Sequence, residues 1–193
     1  MTIRVLVADD QAMIRGALAG LLDLERDIEV VAQAADGTQA LDELARLASA
    51  DGPARTSAPV DVAIIDIEMP RMDGITATQA IRTRFPGVRV LIVTTFGRPG
   101  YLQRALDAGA TGFMVKDAPV ETLADGVRTV AAGGRAIDQS LALEALSAGS
   151  SPLTDREADV LREVEGGGTI ADIARSLGLS QGTVRNHVSS SML

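Results

Sequence analysis

Five short apolar runs, at residues 3–8, 29–34, 62–65, 89–94 and 112–116, alternate with amphipathic stretches at 12–24, 37–47, 75–84, 101–108 and 120–132. This alternation constrains the fold more than any other feature of the chain. The runs are nearly continuous in Val, Ile, Leu and Ala, the pattern of parallel strands buried on both faces. Parallel neighbours need a crossover rather than a tight turn, and the amphipathic stretches supply helices of suitable length. Five strand–helix repeats therefore predict an α/β domain with a doubly wound parallel sheet and right-handed crossovers. The first helix would place Met13, Ala17, Leu18, Leu21 and Leu22 on one face. Aromatic residues make up only 2% of the chain, so the core must be aliphatic.

The polar residues that end these runs carry the chemistry. Asp9-Asp10 follows the first run, Asp66 the third, Thr94 closes the fourth and Lys116 the fifth. If the strands are parallel neighbours, their carboxyl ends meet on one rim, where open α/β sheets bind ligands. Lys116 is the single lysine among 18 Lys and Arg side chains. Its retention in an arginine-biased chain points to a need for a compact point charge rather than a planar fork. Three carboxylates, one hydroxyl and one ammonium are the parts of a metal-assisted phosphoryl site. Asp66, at the end of the central strand, is the expected nucleophile. Asp9 and Asp10 would hold Mg²⁺, which takes oxygen ligands and keeps several waters. Lys116 would pair with the phosphoryl group, and the Thr94 hydroxyl would donate to another of its oxygens. Gly109 and Gly112 read as turn glycines around the last strand.

Composition excludes several classes. The chain has no cysteine, so disulfides and thiolate metal sites are ruled out. No apolar stretch approaches the roughly 18 residues of a membrane span, and a strand begins too early to leave room for a signal peptide. The expected location is cytoplasmic. A net charge of −8 argues against a generic nucleic-acid sponge.

The pattern changes after residue 132. Gly133-Gly134 is a helix stop, and residues 133–152 read as a linker with a short helix near Leu141. Residues 48–59, rich in small residues, Pro and Gly, read as a surface loop. A second domain spans 153–193, and 1–132 form the first. Leu153-Thr-Asp-Arg-Glu157 is a capping box, with Val160, Leu161 and Val164 as the apolar face of the helix behind it. Thr169 caps the next helix, with Ile170, Ile173, Ala174 and Leu177 inward. Ser180 caps a third, with Leu179 and Val184 as its hydrophobic staple. Two short helices around Gly178 form a helix-turn-helix pattern.

Taken with their spacing, these runs resemble a bacterial two-component response regulator of the NarL/FixJ type, a receiver domain joined to a LuxR-type helix-turn-helix. The receiver resemblance rests on Val7-Ala-Asp-Asp10, Ile65-Asp-Ile-Glu-Met-Pro-Arg-Met-Asp-Gly74, Ile92-Val-Thr94 and Ala108-Gly-Ala-Thr-Gly-Phe-Met-Val-Lys116. The effector resemblance rests on Leu153-Thr-Asp-Arg-Glu157 and Leu179-Ser-Gln-Gly-Thr-Val-Arg-Asn-His-Val188. The resemblance implies a flavodoxin-like receiver with five strands in the order 2-1-3-4-5. It also implies a sensor histidine kinase that phosphorylates Asp66, and a homodimer that forms on phosphorylation and binds promoter DNA. By the same carry-over, Asp10 is a direct Mg²⁺ ligand, Asp9 acts largely through water and the Glu68 carbonyl adds a ligand. Thr94 and Phe113 match the switch hydroxyl and switch aromatic. Receivers of this type often pair through their first and fifth helices, which makes Leu21, Val127 and Val130 candidates for the dimer face or for the core. Asp117 stands where many receivers have proline after the lysine, which removes the low-cost route to a cis bond there.

Competing readings differ in chemistry. A phosphatase of the haloacid dehalogenase type places its two aspartates two apart, whereas Asp9 and Asp10 are adjacent. A ligand-sensing LuxR-type regulator would want more aromatic residues. A DNA-independent adaptor is suggested by the acidic second half.

In the second domain, Val184 and Val188 would face the core. Arg185, Asn186 and Ser189 would lie on a different arc and reach the major groove, where Arg suits guanine and Asn suits adenine. Thr183 and His187 suit phosphate contact or packing. Residues 131–193 hold five arginines against eight acids, a thin basic footprint for a DNA reader. The chain also stops just beyond this helix, so the resemblance implies a further basic segment and a fourth helix past Leu193. In a protein carrying that continuation, Arg185→Ala is expected to cost about 1–3 kcal/mol of discrimination at one base position. Fluorescence-anisotropy titration on operator variants measures it.

Overall fold

A computed structural model of the chain describes residues 2–50, 58–95, 100–138, 141, 160, 163–164, 167, 169–177 and 179–184. The chain divides into two compact units, residues 1–147 and 148–193. The first unit contains β1 (Ile3–Ala8), α1 (Ala12–Leu22), β2 (Ile28–Ala34), α2 (Gly37–Ala50), β3 (Val62–Ile65), α3 (Gly74–Arg84), β4 (Arg89–Thr94), α4 (Tyr101–Asp107), β5 (Gly112–Val115), α5 (Val120–Ala131) and β6 (Ala136–Ile137). The strands form one parallel sheet in the order β2-β1-β3-β4-β5-β6.

Each strand feeds both faces of the sheet, as its period of two requires. Leu6, Ala8, Ile65, Ile92 and Phe113 pack on one face with α2, α3 and α4. Val5, Val7, Val62, Ile64, Leu91, Val93 and Met114 pack on the other with α1 and α5. This two-sided burial is why the strands read as unbroken apolar runs. Polar caps mark the helix starts. Asp73 accepts the Thr76 N–H at 2.8 Å and opens α3, three residues before the first turn closes.

The expectation of five strands is corrected to six. After α5, Gly133 takes a left-handed φ of 89°. Its N–H reaches the Val130 carbonyl, and the Gly134 N–H reaches that of Thr129, a Schellman turn that reverses the chain. Ala136 and Ile137 then add to the β5 edge. Two residues are too few to show any periodicity, so this strand was hidden inside the expected linker. Leu141, from the same stretch, is buried in the first unit's core.

The structure also decides three smaller points. Met13 is 84% exposed and Leu21 and Ala17 are exposed, while Ala19 and Leu22 carry the buried face of α1. Val127 and Val130 are fully buried, so they belong to the core and not to a free face of α5. Gly112 is not in a turn: it is the first residue of β5, and a Cβ there would meet Leu91 Cδ1 at 2.5 Å and the Ala136 carbonyl at 2.9 Å. Gly109, with φ 97°, does make the turn before it.

A charged clasp closes the far side of the sheet. Arg128 on α5 donates from Nε to Asp27 at 2.9 Å and from Nη2 to Glu25 at 2.6 Å. Both acids lie in the turn between α1 and β2, so this arginine ties α5 to that turn across the sheet's α1/α5 side.

The described part of the second unit centres on α6 (Ile170–Ser176) and a helical turn at 181–184. Thr169 accepts the Asp172 N–H and caps α6. Val160, Ile173, Ala174 and Val184 form a buried cluster, with Ile170, Leu177 and Leu179 packed against it. Ser180 caps the following turn by accepting the Thr183 N–H at 3.1 Å. Val164, expected on the apolar face, is instead partly exposed. Leu161, Val188, the capping box at 153–157, residues 148–152 and residues 51–57 lie outside the described residues. Among the described residues no helix is long and apolar enough to cross a membrane.

The tight seat of Gly112 against β4, α5 and β6 predicts that Gly112→Ala destabilises the protein by about 1–3 kcal/mol through overpacking. Urea denaturation followed by circular dichroism measures the change in midpoint.

Candidate functional site

The parallel order brings the ends of β1, β3, β4 and β5 to one rim. Asp9 follows β1, Asp66 follows β3, Thr94 ends β4 and Lys116 follows β5. Backbone bonds hold these residues in place. The Asp66 N–H donates to the Ala8 carbonyl at 2.9 Å, and the Lys116 N–H to that of Thr94 at 2.8 Å. Asp9, Asp66 and Thr94 are buried, whereas Asp10 and Glu68 are exposed.

Lys116 sits between the two buried acids. Its Nζ lies 2.6 Å from Asp9 Oδ2 and 3.0 Å from Asp66 Oδ2, and its side chain is only 5% exposed. Burial raises the Asp66 carboxyl above the ordinary carboxylate range, and the Asp9 charge pushes the same way; Lys116 offsets this only in part. Burial pulls the Lys116 ammonium down, but hydrogen bonds and charge from Asp9 and Asp66 outweigh it and hold the group above its usual value.

Carboxylate oxygens of Asp9, Asp10 and Asp66 all lie within 4.8 Å of one another. Asp9 Oδ2 is buried, and the Lys116 ammonium 2.6 Å away is its charge partner. Such an oxygen retains a lone pair for a cation. An all-oxygen set of this size fits a hard divalent ion that keeps some of its water.

The loop from Ile67 to Asp73 is folded tightly behind Asp66. The Ile67 N–H donates to Asp66 Oδ1 at 2.8 Å, and the Gly74 N–H to the Ile67 carbonyl at 2.9 Å. A Cβ on Gly74 would stand 2.0 Å from the Asp66 carbonyl oxygen, so only glycine allows α3 to start so close to the acid. Phe113 is fully buried, paired in the ladder with Ile92. Thr94 lies two residues further along β4, so Thr94 and Phe113 project to the same face of the sheet. All peptide bonds among the described residues are trans, including Lys116–Asp117.

Two residues escaped the sequence reasoning. Arg15 donates from Nη1 to the Asp9 carbonyl at 2.6 Å, from one turn into α1. Asp36 is fully buried, and accepts the N–H groups of Thr38 and Gln39 at 2.8 and 3.0 Å. An aspartate directly before a helix is an ordinary cap, so the sequence around Asp36 carries no sign of a further role. Of the expected DNA-contact residues, Thr183 is half-buried and its hydroxyl exchanges a hydrogen bond with Ser180 at 2.7 Å. Arg185, Asn186, His187 and Ser189 lie outside the described residues.

Comparison with known proteins agrees with this architecture. Residues 5–128 match the response regulator receiver domain, and residues 151–193 match the bacterial regulatory proteins of the luxR family. The transcriptional regulatory protein DesR of Bacillus subtilis is 41% identical over 187 residues, covering 97% of this chain and 87% of the relative. The transcriptional regulatory protein UhpA of Escherichia coli is 34% identical, covering 96% of this chain and 87% of the relative. The crystal structure of ChrA, a response regulator of a heme-sensing two-component system, superposes with a TM-score of 0.60 at 33% identity, covering 98% of this chain and 88% of that one.

The electrostatics of the rim make opposite predictions for its two ends. Removing the cation in Lys116→Met leaves two buried carboxylates uncompensated, and should cost about 3–5 kcal/mol at neutral pH. Asp66→Asn should instead stabilise. The raised Asp66 pKa means the folded protein keeps this proton to higher pH than the unfolded chain. The group's stabilising contribution is therefore complete below the unfolded carboxylate pKa and is lost as pH rises through the folded value. The advantage of Asp66→Asn should be largest near neutrality and narrow on acidification. Thermal melts of the three proteins across that range test both signs.

Proposed function

Because this chain belongs to the response regulators that join a receiver domain to a LuxR-type helix-turn-helix, we propose that phosphorylation of Asp66 switches it as a two-component transcription regulator. The observation that carries this reading is the buried Asp66 carboxylate, paired with Lys116 and within ligand distance of Asp9 and Asp10.

A sensor histidine kinase is the donor. The N–P bond of its phosphohistidine breaks as an Asp66 carboxylate oxygen forms the new O–P bond, and the freed imidazole keeps its electron pair. Asp9 and Asp10, with the Glu68 carbonyl, would hold Mg²⁺, which when bound neutralises charge on the phosphoryl oxygens. Lys116, already fixed by Asp9, is the protein's own charge for the same purpose, and costs no reorganisation as negative charge gathers. Hydrolysis of the acyl phosphate by water returns the carboxylate and inorganic phosphate, so Asp66 acts as a resettable acceptor rather than as a turnover catalyst.

Thr94 and Phe113 form the relay. The Thr94 hydroxyl turns towards a phosphoryl oxygen, and the Phe113 ring on the same sheet face responds to that shift. Local charge thereby biases a two-state element. The output is a receiver homodimer that pairs two helix-turn-helix modules on promoter DNA. The exposed Met13, Leu21 and Leu24 offer an apolar surface along α1 for that pairing. Thr183, Arg185, Asn186, His187 and Ser189 are the proposed DNA contacts, and a cytoplasmic location goes with this role. The name transcriptional regulatory protein borne by DesR and UhpA supports the same output.

Incubation with a small phosphodonor and Mg²⁺ should add one phosphoryl group, seen by intact mass. Asp66→Asn should take up none, and label retained on another residue in that variant would overturn the assignment. Thr94→Ala should still be phosphorylated but should dimerise less on phosphorylation, as measured by sedimentation velocity.

A further inference from the structure

Asp36 is a buried carboxylate that the phosphoryl chemistry does not use. Its Oδ1 caps α2 by accepting two backbone N–H groups. Its Oδ2 is buried, and its charge partner is the Arg71 guanidinium. An isolated carboxylate in a fully buried position is costly, so a counter-charge there has a clear physical role.

Arg71 is also the only non-glycine residue with a positive φ, 64°, among the described residues. Residues other than Gly, Asn and Asp adopt that region at a cost, and keep it when their surroundings over-determine it. Arg71 stands in the middle of the loop between Asp66 and the Asp73 cap. Two further contacts join the same parts of the chain. The Gly37 N–H donates to the Met72 carbonyl at 3.1 Å. A Cβ on Gly37 would meet that oxygen, Met72 Cγ and Ala77 Cβ, each at 2.8 Å, so the start of α2 is pressed directly onto this loop. Within the loop, the Met72 N–H turns back to the Pro70 carbonyl at 2.7 Å and the Met69 N–H to the Ile67 carbonyl at 3.1 Å.

We propose that Asp36 and Arg71 are positioning residues for the acidic rim: their ion pair clamps the loop 67–73 to the start of α2 and so sets the placement of Asp66 and of the Glu68 carbonyl. Neither side chain touches the reacting atoms; they act through the loop backbone. The inference rests on the proposed role of Asp66 and its Mg²⁺ site, and extends it to two side chains that take no part in the phosphoryl chemistry. The ion pair holds Arg71 in its strained conformation, and the loop's short internal bonds carry that constraint back to Ile67, whose N–H grips Asp66.

The test uses the full chain and three variants. Asp36→Asn keeps a neutral oxygen to cap α2 but removes the charge. Arg71→Ala removes the cation and keeps a side chain in the strained position. Arg71→Gly removes the cation and relieves the strain. Hydrogen exchange of the Gly37 amide, whose acceptor is on the loop, reports the clamp directly. Mg²⁺ affinity by calorimetry reports the rim. Both are expected to change in all three variants, with Mg²⁺ binding weakened roughly tenfold, as when a supporting partner of a ligand is lost. Arg71→Gly should recover thermal stability relative to Arg71→Ala without recovering Mg²⁺ affinity. Asp36→Asn combined with Arg71→Ala should be no worse than the weaker single variant, because the two act as one unit. Wild-type Mg²⁺ affinity or wild-type Gly37 exchange in Asp36→Asn and Arg71→Ala would overturn the proposal, whatever their melting temperatures. Wild-type protein that binds Mg²⁺ yet takes no phosphoryl group on Asp66 would overturn the acceptor reading and leave the clamp standing.

Discussion

One ammonium group holds the working end of this domain together. Lys116 bridges Asp9 and Asp66 from the end of β5, reaching past β4 to the end of β3 and on to the end of β1. Without it, two carboxylates would face each other in a buried rim, and one would have to give up its charge. With it, the rim remains acidic enough to hold a cation and carries a fixed positive group for an anion. The raised pKa of Asp66 marks how close this balance is: burial still outweighs the lysine at that carboxylate. A flexible four-carbon stem can serve two acceptors on different strands, which a planar guanidinium does less readily. That explains why the single lysine of an arginine-biased chain stands at this position.

The rest of the receiver is arranged so that this rim is firm at its back and open at its front. Aliphatic side chains from both sheet faces lock the strands, and Phe113 is the largest fully buried side chain among the described residues. Gly74 lets α3 begin against the Asp66 carbonyl, so the helix cap at Asp73 and the acid belong to one tight turn. Arg15 pins the main chain at Asp9 from α1. Asp10 and Glu68 remain exposed, so the front of the rim is open to water. The proposed clamp between Asp36 and Arg71 adds a constraint on the loop 67–73, rim backbone that lies outside the strands.

The second unit relies on smaller means. Four buried aliphatic residues and two hydroxyl caps hold its described part. Thr169 and Ser180 are short polar residues directly before apolar positions, so both helix starts are encoded locally.

The order and type of the elements in the receiver were legible from the sequence, because local period and polarity encode them. Strands 3–8, 62–65 and 89–94 have the same ends in the structure, and the polar residues closing the strands pointed to the rim. The helix caps at Thr169 and Ser180 were legible for the same reason. Other features belong to tertiary structure alone. A helix with apolar residues on two arcs does not declare which arc faces the sheet: Met13, Leu21 and Leu22 were read as one face, yet Met13 and Leu21 lie outside while Leu22 and Ala19 are buried. Val127 and Val130 were ambiguous between core and surface until the sheet covered them. β6 is too short to have a period and exists only because β5 has a free edge beside the Gly133 turn. The contacts of Lys116 with Asp9, of Asp36 with Arg71 and of Arg128 with Asp27 join residues far apart in the chain. No local pattern specifies such pairs, since each is fixed by which strands become neighbours and by the need to compensate charge where water is excluded.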